Sequence, residues 1–320
     1  MISEIPKTLL EASRYFSDLE ICNDYMRSLK WPDGVITCPK CGTEKCSKIA
    51  GRPGIHTCNM RGCRKQFSVK VGTIFEDSPL GLDKWFVAIW SIANCKNGIS
   101  SHELGRAIGI TQKSAWFLLH RVRKAMETES FSKLSGDVES DETFIGGAAK
   151  NMHAKRRDRV ITGRGPTDKT PVQAIVERGG MIRTFVPHDT TAESLGANVL
   201  RNVVKGSAIY TDSATACARL LVSYLHEAVN HSVGEWKRGR AHTNTAENFW
   251  SLLNRALNGT YICVAAFHLH RYATEQGFRY NHRDLNDAGR FLAVLRGVLG
   301  KRLTYRRLAA IGDSGFMGLK

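Results

Sequence analysis

The sequence has no apolar run of about 18 residues, so no segment predicts a membrane-spanning helix. Residues 1–7 also lack the basic stretch followed by an apolar stretch that begins a secretory signal peptide. We therefore expect a cytoplasmic protein with no membrane partner. Acidic residues are scarce too: 30 Asp and Glu stand against 46 Lys and Arg, a formal charge of +16. Such a deficit favours a polyanionic partner, because each neutralised phosphate releases condensed counterions.

Cysteine is sparse and unevenly placed. There are nine cysteines, an odd number. Scattered thiols are typical of proteins from a reducing compartment, where closely spaced cysteine pairs bind metal instead of forming disulfides. Two tight turns each present a pair of thiols, the tetrahedral set that zinc prefers. The sequence therefore predicts a structural zinc ribbon that holds one Zn²⁺ through Cys38, Cys41, Cys58 and Cys63. Four reduced structural cysteines are the alternative, and Cys46 is a possible substitute ligand that has no partner at this spacing.

Helical patterns flank the ribbon. Residues 1–30 have an amphipathic helical rhythm, with Leu9, Leu10 and Phe16 among the apolar positions. After the ribbon, a helical pattern begins near Leu82.

The spacing of Ser100 and Glu103 is that of a capping box, which opens the next helix. Gly109 turns the chain and Thr111 can cap a further helix. Helix, glycine turn and helix form the helix-turn-helix pattern, whose second helix meets base edges at its start. The residues expected there are Gln112, Lys113 and Ser114. An ordinary three-helix bundle is the alternative.

From about residue 131 the pattern changes to strands alternating with helices. The first strand carries acids up to Asp141 and Glu142, and Gly146 and Gly147 follow it. A hairpin is predicted around residues 179–180, a helix over 192–204, and a buried strand over 207–211 that ends at Asp212. A helix near 217–225, a short strand near 229 and two further helices complete a mixed five-stranded sheet with helices.

A basic stretch follows the first acidic strand. Its Lys and Arg residues are interrupted by glycine and proline, so we interpret it as a loop. A solvated loop and a loop that contacts DNA phosphates are about equally consistent with the pattern. The candidate DNA contacts in it are Lys155, Arg156, Arg157 and Arg164.

Three carboxylates lie on separate segments: Asp141, Asp212 and Glu247. A helical wheel places Phe249, Trp250, Leu253 and Leu257 on one face of the last helix and Glu247 on the opposite face. Two Mg²⁺ or Mn²⁺ ions roughly 4 Å apart, held by such carboxylates, can activate the attacking oxygen and stabilise the leaving oxygen in phosphodiester displacement. A single Asp or Glu is more often an exposed or ion-paired residue, so the prediction rests on the three together.

The chain resembles bacterial insertion-sequence transposases of the DDE class that carry an N-terminal zinc ribbon, the ISXO-type group. The matching segments, in family order, are the two cysteine pairs and residues 72–75, 140–147, 211–212, 242–247, 259–261 and 279–283. The resemblance implies a ribonuclease-H-like catalytic domain with Asp141, Asp212 and Glu247 as its metal-binding triad. It also implies a nucleoid-associated enzyme that binds terminal inverted repeats, hydrolyses 3′ ends and joins the 3′ hydroxyls to target DNA. Because two ends must be joined, a homodimer or larger assembly is expected.

Two features of the last helix leave alternatives open. Some members of the group are described with asparagine as the third metal ligand, and Asn244 lies one turn before Glu247 on the same face. We favour Glu247 because a carboxylate holds a dication better than a neutral amide does. The family commonly has lysine followed by arginine where this chain has Asn254 and Arg255. A phosphate contact is therefore missing here, or Arg255 supplies it.

The predicted fold class is a multidomain α/β protein, in which a zinc ribbon and a helix-turn-helix precede a ribonuclease-H-like catalytic domain. The expected boundaries are a helical segment at 1–30, the ribbon at 31–78, the helix-turn-helix at 79–130, the catalytic domain at 131–285 and a basic tail at 286–320. The alternatives to a transposase are a non-catalytic DNA-binding regulator derived from one and a metal-dependent nuclease that does not transfer strands.

Overall fold

The computed structural model describes residues 5–127, 132–147, 152–161, 168–212, 223–229 and 234–309. The chain divides into two compact units, the first made of residues 1–127 with 282–320 and the second of residues 128–281. The helices are α1 (Leu9–Tyr15), α2 (Leu19–Lys30), α3 (Leu82–Asn94), α4 (Ser101–Ile108), α5 (Gln112–Ala125), α6 (Ala154–Val160), α7 (Ala192–Asn202), α8 (Asn244–Ala256), α9 (Leu269–Asn281), α10 (Asp287–Arg296) and α11 (Tyr305–Leu308). The strands are β1 (Cys46–Lys48), β2 (Ile55–Cys58), β3 (Gln66–Ser68), β4 (Asp137–Ile145), β5 (Thr170–Glu177), β6 (Ile182–Phe185), β7 (Ala208–Thr211) and β8 (Leu225–Ala228). Within the described ranges, no helix has the length and apolar character needed to cross a membrane.

The N-terminal helical segment is two helices, where the sequence predicted one. The helix is interrupted at Asp18, because the Asp18 carboxylate accepts a hydrogen bond from the Glu20 amide and caps the start of α2. Because of this break, α1 and α2 do not share one continuous apolar face. The prediction that Leu9 and Leu10 lie on such a face was wrong, since both side chains are exposed. The buried residues of this segment are Ala12, Phe16, Cys22 and Met26.

The core of the first unit is aromatic and includes a residue from near the C-terminus. The rings of Phe16, Phe86 and Phe291 lie 5.0–5.8 Å apart between centroids. Phe291 belongs to α10, which packs on α3 and also buries Val294 and Leu295. The segment predicted as a basic tail therefore carries a buried apolar face.

The zinc-ribbon segment is a three-stranded antiparallel sheet in the order β1-β2-β3. Trp31 and His56 pack around Phe67 of β3, with ring centroids 5.7–6.5 Å apart. This small set of buried side chains leaves most of the segment without an apolar core, which is the situation in which a bound metal contributes the folding free energy.

The α4–α5 segment confirms the predicted caps. Ser100 and Glu103 form a complete capping box, and Thr111 accepts a hydrogen bond from the Ser114 amide. Gly109 has φ of 64°, in the left-handed region that a residue with a Cβ rarely adopts. The glycine therefore allows the reversal that packs α5 against α4.

The second unit is built on a mixed five-stranded sheet in the order β6-β5-β4-β7-β8. Strand β4 lies at its centre, antiparallel to β5 and parallel to β7. One face packs on α8 and α9, through Val172, Ala174 and Val176 of β5. The other face packs on α7, through Ile175 of the same strand.

Two details of the second unit differ from the sequence prediction. Helix α6 lies within the stretch predicted as a basic loop. The helix predicted near residues 217–225 falls largely outside the described residues, and Leu225 begins strand β8. A short strand was predicted there, although it was placed near Val229.

Candidate metal centre

Three carboxylates meet where β4 and β7 lie side by side. Oxygens of Asp141, Glu142 and Asp212 all lie within 4.8 Å of one another. The register explains the meeting: Glu139 of β4 pairs with Tyr210 of the parallel strand β7, so the residues two positions later, Asp141 and Asp212, reach the same level of the sheet. The structure thus brings together two of the predicted site residues, Asp141 and Asp212, and Glu142, for which no role was predicted.

Asp141 is the most buried member of the cluster. One of its oxygens accepts a hydrogen bond of 2.8 Å from the indole Nε1–H of Trp250 on α8. Burial, together with the charge of Asp212, raises the pKa of Asp141 to about 7. Trp250 was predicted only as a core residue, but a buried indole needs a hydrogen-bond acceptor, and the Asp141 carboxylate is that acceptor.

Glu142 has a similarly perturbed carboxyl group. Burial raises its pKa to about 8, and the neighbouring charges of Asp141 and Asp212 act in the same direction. Both groups therefore bear their negative charge at a free-energy cost when no cation is present. A dication coordinated by hard oxygen ligands removes that cost, so the donor set fits Mg²⁺ or Mn²⁺.

Helix α8 confirms the predicted division of faces. Phe249, Trp250 and Leu253 are buried, whereas Asn244 and Glu247 are exposed. The Glu247 carboxylate lies outside the three-carboxylate group and accepts a long hydrogen bond of 3.4 Å from Thr243. Its charge nevertheless contributes to the raised pKa of Asp141.

The four predicted zinc ligands form one cluster. The Sγ atoms of Cys38 and Cys63 are 3.8 Å apart, those of Cys41 and Cys58 are 3.6 Å apart, and all four lie within 4.8 Å of one another. Four sulfurs at the Zn–S distance of about 2.3 Å stand roughly 3.8 Å apart in a tetrahedron. The spacing is therefore that of thiolates around one zinc ion. Cys46 does not belong to the cluster, and its thiol faces the carbonyl oxygen of Thr43.

The predicted DNA contacts are mostly on the surface. Gln112, Lys113 and Ser114 are exposed at the start of α5. The Gln112 amide donates to Ser101 Oγ at 2.9 Å, and the Lys113 ammonium lies 5.3 Å from the centre of the Tyr305 ring. Both side chains must leave these contacts if they are to reach bases.

The predicted basic DNA contacts of the second unit whose side chains are described are also exposed. They are Lys155 and Arg157 of α6 and Arg255 near the end of α8. Arg156 lies in α6, but its side chain falls outside the described residues, as does the whole of Arg164.

The comparisons with known proteins cover both parts of the chain. Residues 133–281, which contain the carboxylate cluster, match the ISXO2-like transposase domain. Residues 18–66, which contain the four clustered cysteines, match the transposase zinc-ribbon domain. Both matches are to domains of transposases. This confirms the resemblance inferred from the sequence motifs.

A relative of this chain comes from Halobacterium salinarum and is described as an uncharacterized protein in transposable element ISH50. It is 28% identical over 242 residues, which cover 73% of this chain and 81% of the relative. That organism is an archaeon, whereas the resemblance inferred from the sequence motifs was to bacterial elements. No solved structure gives a significant match.

Proposed function

We propose that this protein is a DNA transposase that hydrolyses the 3′ ends of an insertion element and joins the resulting 3′ hydroxyls to target DNA. The observation that carries the proposal is the meeting of Asp141, Glu142 and Asp212 within 4.8 Å on adjacent strands. The matches to the ISXO2-like transposase domain and to the transposase zinc-ribbon domain support the same proposal. So does the mixed sheet, whose central strand bears Asp141, as expected of a ribonuclease-H-like domain.

In this proposal Asp141, Asp212 and Glu247 hold the divalent ions, and Glu142 is a further carboxylate available to them. Two bound ions would supply activation of the attacking oxygen and stabilisation of the leaving oxygen. The Trp250 indole fixes the orientation of Asp141 through its hydrogen bond. The carboxylates on three segments leave the remaining positions open to substrate phosphates.

The reaction consists of two phosphodiester displacements of the same kind. In the first, water attacks the phosphorus at the element's end, and the strand breaks to leave a 3′ hydroxyl and a 5′ phosphate. In the second, that 3′ hydroxyl attacks a phosphorus of the target, and a target 3′ hydroxyl leaves. The protein forms no covalent bond to DNA in either step, so the same carboxylate set serves both.

Recognition of the element ends is assigned to the first unit. A helix that begins with exposed polar residues after a glycine turn supports a helix-turn-helix role for α4 and α5. The zinc ribbon supports a second DNA contact. Two such chains are needed to hold two ends together, which implies a dimer or larger assembly on DNA.

The decisive experiment is strand transfer of a pre-cleaved end oligonucleotide into a target duplex with Mg²⁺. We expect product from the wild type, and none from Asp141→Asn, which should still bind the oligonucleotide. Asp189→Asn is the matched control, because Asp189 is an exposed aspartate that hydrogen-bonds Thr191; it should retain product. Product from Asp141→Asn at the wild-type level would contradict the site assignment.

The same assay separates the alternatives. Binding by the wild type without any cleavage or joining would favour the regulator, and cleavage without joining would favour the nuclease. Replacing Glu247, Asn244 and Glu142 one at a time identifies the third ligand, since its loss should abolish product while the other two replacements leave some.

A further inference from the structure

Strand β4 carries a second buried carboxylate that does not belong to the metal cluster. Glu139 lies two positions before Asp141, on the same face of the strand, and its side chain has no solvent exposure. A buried carboxylate is costly unless every oxygen is hydrogen-bonded or paired with a cation. Its partners therefore reveal its role.

Those partners are the first residues of α8. One oxygen of Glu139 accepts hydrogen bonds from the amides of Thr245, at 2.8 Å, and Ala246, at 3.0 Å. The other oxygen accepts one from Thr245 Oγ1 at 2.9 Å. Amides in the first turn of a helix have no partner within the helix, and Thr243, at the N-cap position, makes no side-chain capping bond. Glu139 thus supplies, from the sheet, the cap that the helix lacks.

Arg178 completes the arrangement from the end of β5. Its Nε donates to Glu139 at 2.7 Å. Its two terminal nitrogens donate to the carbonyl oxygens of Arg240, at 2.9 Å, and His242, at 2.8 Å. One guanidinium therefore ties the chain that leads into α8 to the same carboxylate that caps the helix.

The four acceptor positions of Glu139 are filled by these donors, so none remains for a metal ion. The helix that Glu139 holds carries Trp250, which binds Asp141, and Glu247, the favoured third ligand. The distance along α8 from the capped amides to these residues is at most about one and a half turns. A shift of the first turn is therefore transmitted directly to the site.

We propose that Glu139 and Arg178 are positioning residues, which fix the first turn of α8 against β4 and so hold Trp250 in contact with Asp141 and set the position of Glu247 relative to the cluster. This inference rests on the proposed function only for its catalytic consequence. The capping itself is a property of the fold and can be measured without DNA.

The first test is amide hydrogen exchange in Glu139→Gln, which keeps the side-chain shape but replaces one acceptor oxygen with an NH₂ group and leaves Arg178 without a counter-charge. Exchange at Thr245 and Ala246 should become faster. The matched control is Glu275→Gln, which disrupts another buried ion pair of the same unit, that of Glu275 with Arg279. In this control the amides of Thr245 and Ala246 should exchange at the wild-type rate. Unchanged exchange in Glu139→Gln overturns the inference.

The second test is the single-turnover rate of 3′-end cleavage with Mn²⁺. Loss of a group that orients metal ligands typically lowers activity by about 10- to 100-fold. We expect that loss in Glu139→Gln with the DNA dissociation constant unchanged, and partial recovery at higher Mn²⁺. Glu275→Gln should cleave at the wild-type rate at temperatures where it is folded. A wild-type rate in a Glu139→Gln protein whose amides exchange faster would overturn the positioning role.

A milder variant guards against failure to fold. In Arg178→Lys the charge opposite Glu139 remains, but a single ammonium cannot reach the carboxylate and both carbonyls. We expect a smaller increase in amide exchange and a smaller loss of cleavage rate than in Glu139→Gln. No change in either quantity would count against the inference. If the wild type cleaves no DNA, the proposed transposase activity fails, and exchange at Thr245 and Ala246 alone then decides whether Glu139 holds the helix.

Discussion

At the scale of single residues, the same acidic strand uses its carboxylates in different ways. Asp137 hydrogen-bonds the Tyr210 hydroxyl and pairs with Arg240. Glu139 is saturated by donors, whereas Asp141 and Glu142 face other acids. Of these carboxylates, only Asp141 and Glu142 have acceptor positions available for a cation, so the protonation of these two groups should be linked to metal binding.

The sign of that linkage follows from the raised pKa values of Asp141, about 7, and Glu142, about 8. In an unfolded chain such groups have pKa values near 4. Because the folded-state pKa is the higher one, the two carboxyl groups favour the folded state fully below about pH 4. Their contribution to the free energy of unfolding falls as the pH rises from there and is lost once the pH has passed through 7 to 8. The metal-free protein should therefore become less stable over that range.

We predict that Mg²⁺ raises the melting temperature more at pH 8.5 than at pH 6, because at the lower pH protons occupy the carboxyl groups. Thermal melting with and without Mg²⁺ at both pH values measures the difference. In Asp141→Asn the difference should shrink. An Mg²⁺ effect that is equal at both pH values would show that these carboxyl groups do not bind it.

The sequence allowed Asp141 and Asp212 to be proposed, because each stands at a distinctive point of a predicted strand. It gave no reason to select Glu142, since neighbouring residues on a strand point to opposite faces. The two carboxylates both reach Asp212 because β7 pairs in parallel beside β4, and strand pairing is a tertiary property. The partners of Glu139 on α8 lie more than 100 positions along the chain, beyond any local pattern.

At the scale of elements, the ribbon was predictable because its ligands are encoded at fixed spacings. Helix capping was predictable for the same reason at Ser100, Glu103 and Gly109. The division of residues 9–30 into α1 and α2 depends on Asp18, a capping residue inside an otherwise continuous apolar rhythm. Helix α6 was missed because no apolar periodicity marks it.

We predict one zinc ion per chain, held by the four clustered thiols. Cys41→Ser should lower the zinc content and unfold the β1–β3 sheet, because metal binding supplies most of the folding free energy of such a segment. Cys46→Ser is the matched control, since Cys46 lies on β1 but outside the cluster. Atomic emission gives the zinc content and circular dichroism the fold; zinc loss in Cys46→Ser equal to that in Cys41→Ser would contradict the ligand set.

At the scale of the whole molecule, the charge of +16 makes salt the main variable of DNA binding. Each phosphate contact contributes about 0.9 to the slope of log K against log salt concentration. We predict that the double variant Lys155→Ala with Arg157→Ala weakens binding on all sequences and reduces the slope by about 1 to 2. Filter binding or fluorescence anisotropy at several salt concentrations measures it.

Lys133→Ala provides the control for that slope. Lys133 is an exposed lysine of the same unit, and its ammonium donates to the Leu200 carbonyl. Its removal should leave the slope close to that of the wild type. A slope that falls equally in both cases would mean that only net charge matters and that α6 has no particular contact with DNA.

The two units should also differ in their response to a core substitution. Phe291→Ala removes a fully buried ring from the aromatic core of the first unit, which typically costs about 3–5 kcal/mol. Melting followed by near-ultraviolet circular dichroism should then show an earlier transition for the first unit. Mg²⁺ should still stabilise the second unit, and a simultaneous loss of both units would indicate a single cooperative fold.

The position of Phe291 also sets an order of events during synthesis. Residues 128–281 form one uninterrupted stretch, so the ribosome releases everything the second unit needs before α10 exists. The first unit begins earlier in the chain, but its aromatic core is incomplete until the Phe291 ring is translated, after the whole of the second unit. Domains usually fold in the order in which they emerge; here the segment that emerges first is the one expected to finish last.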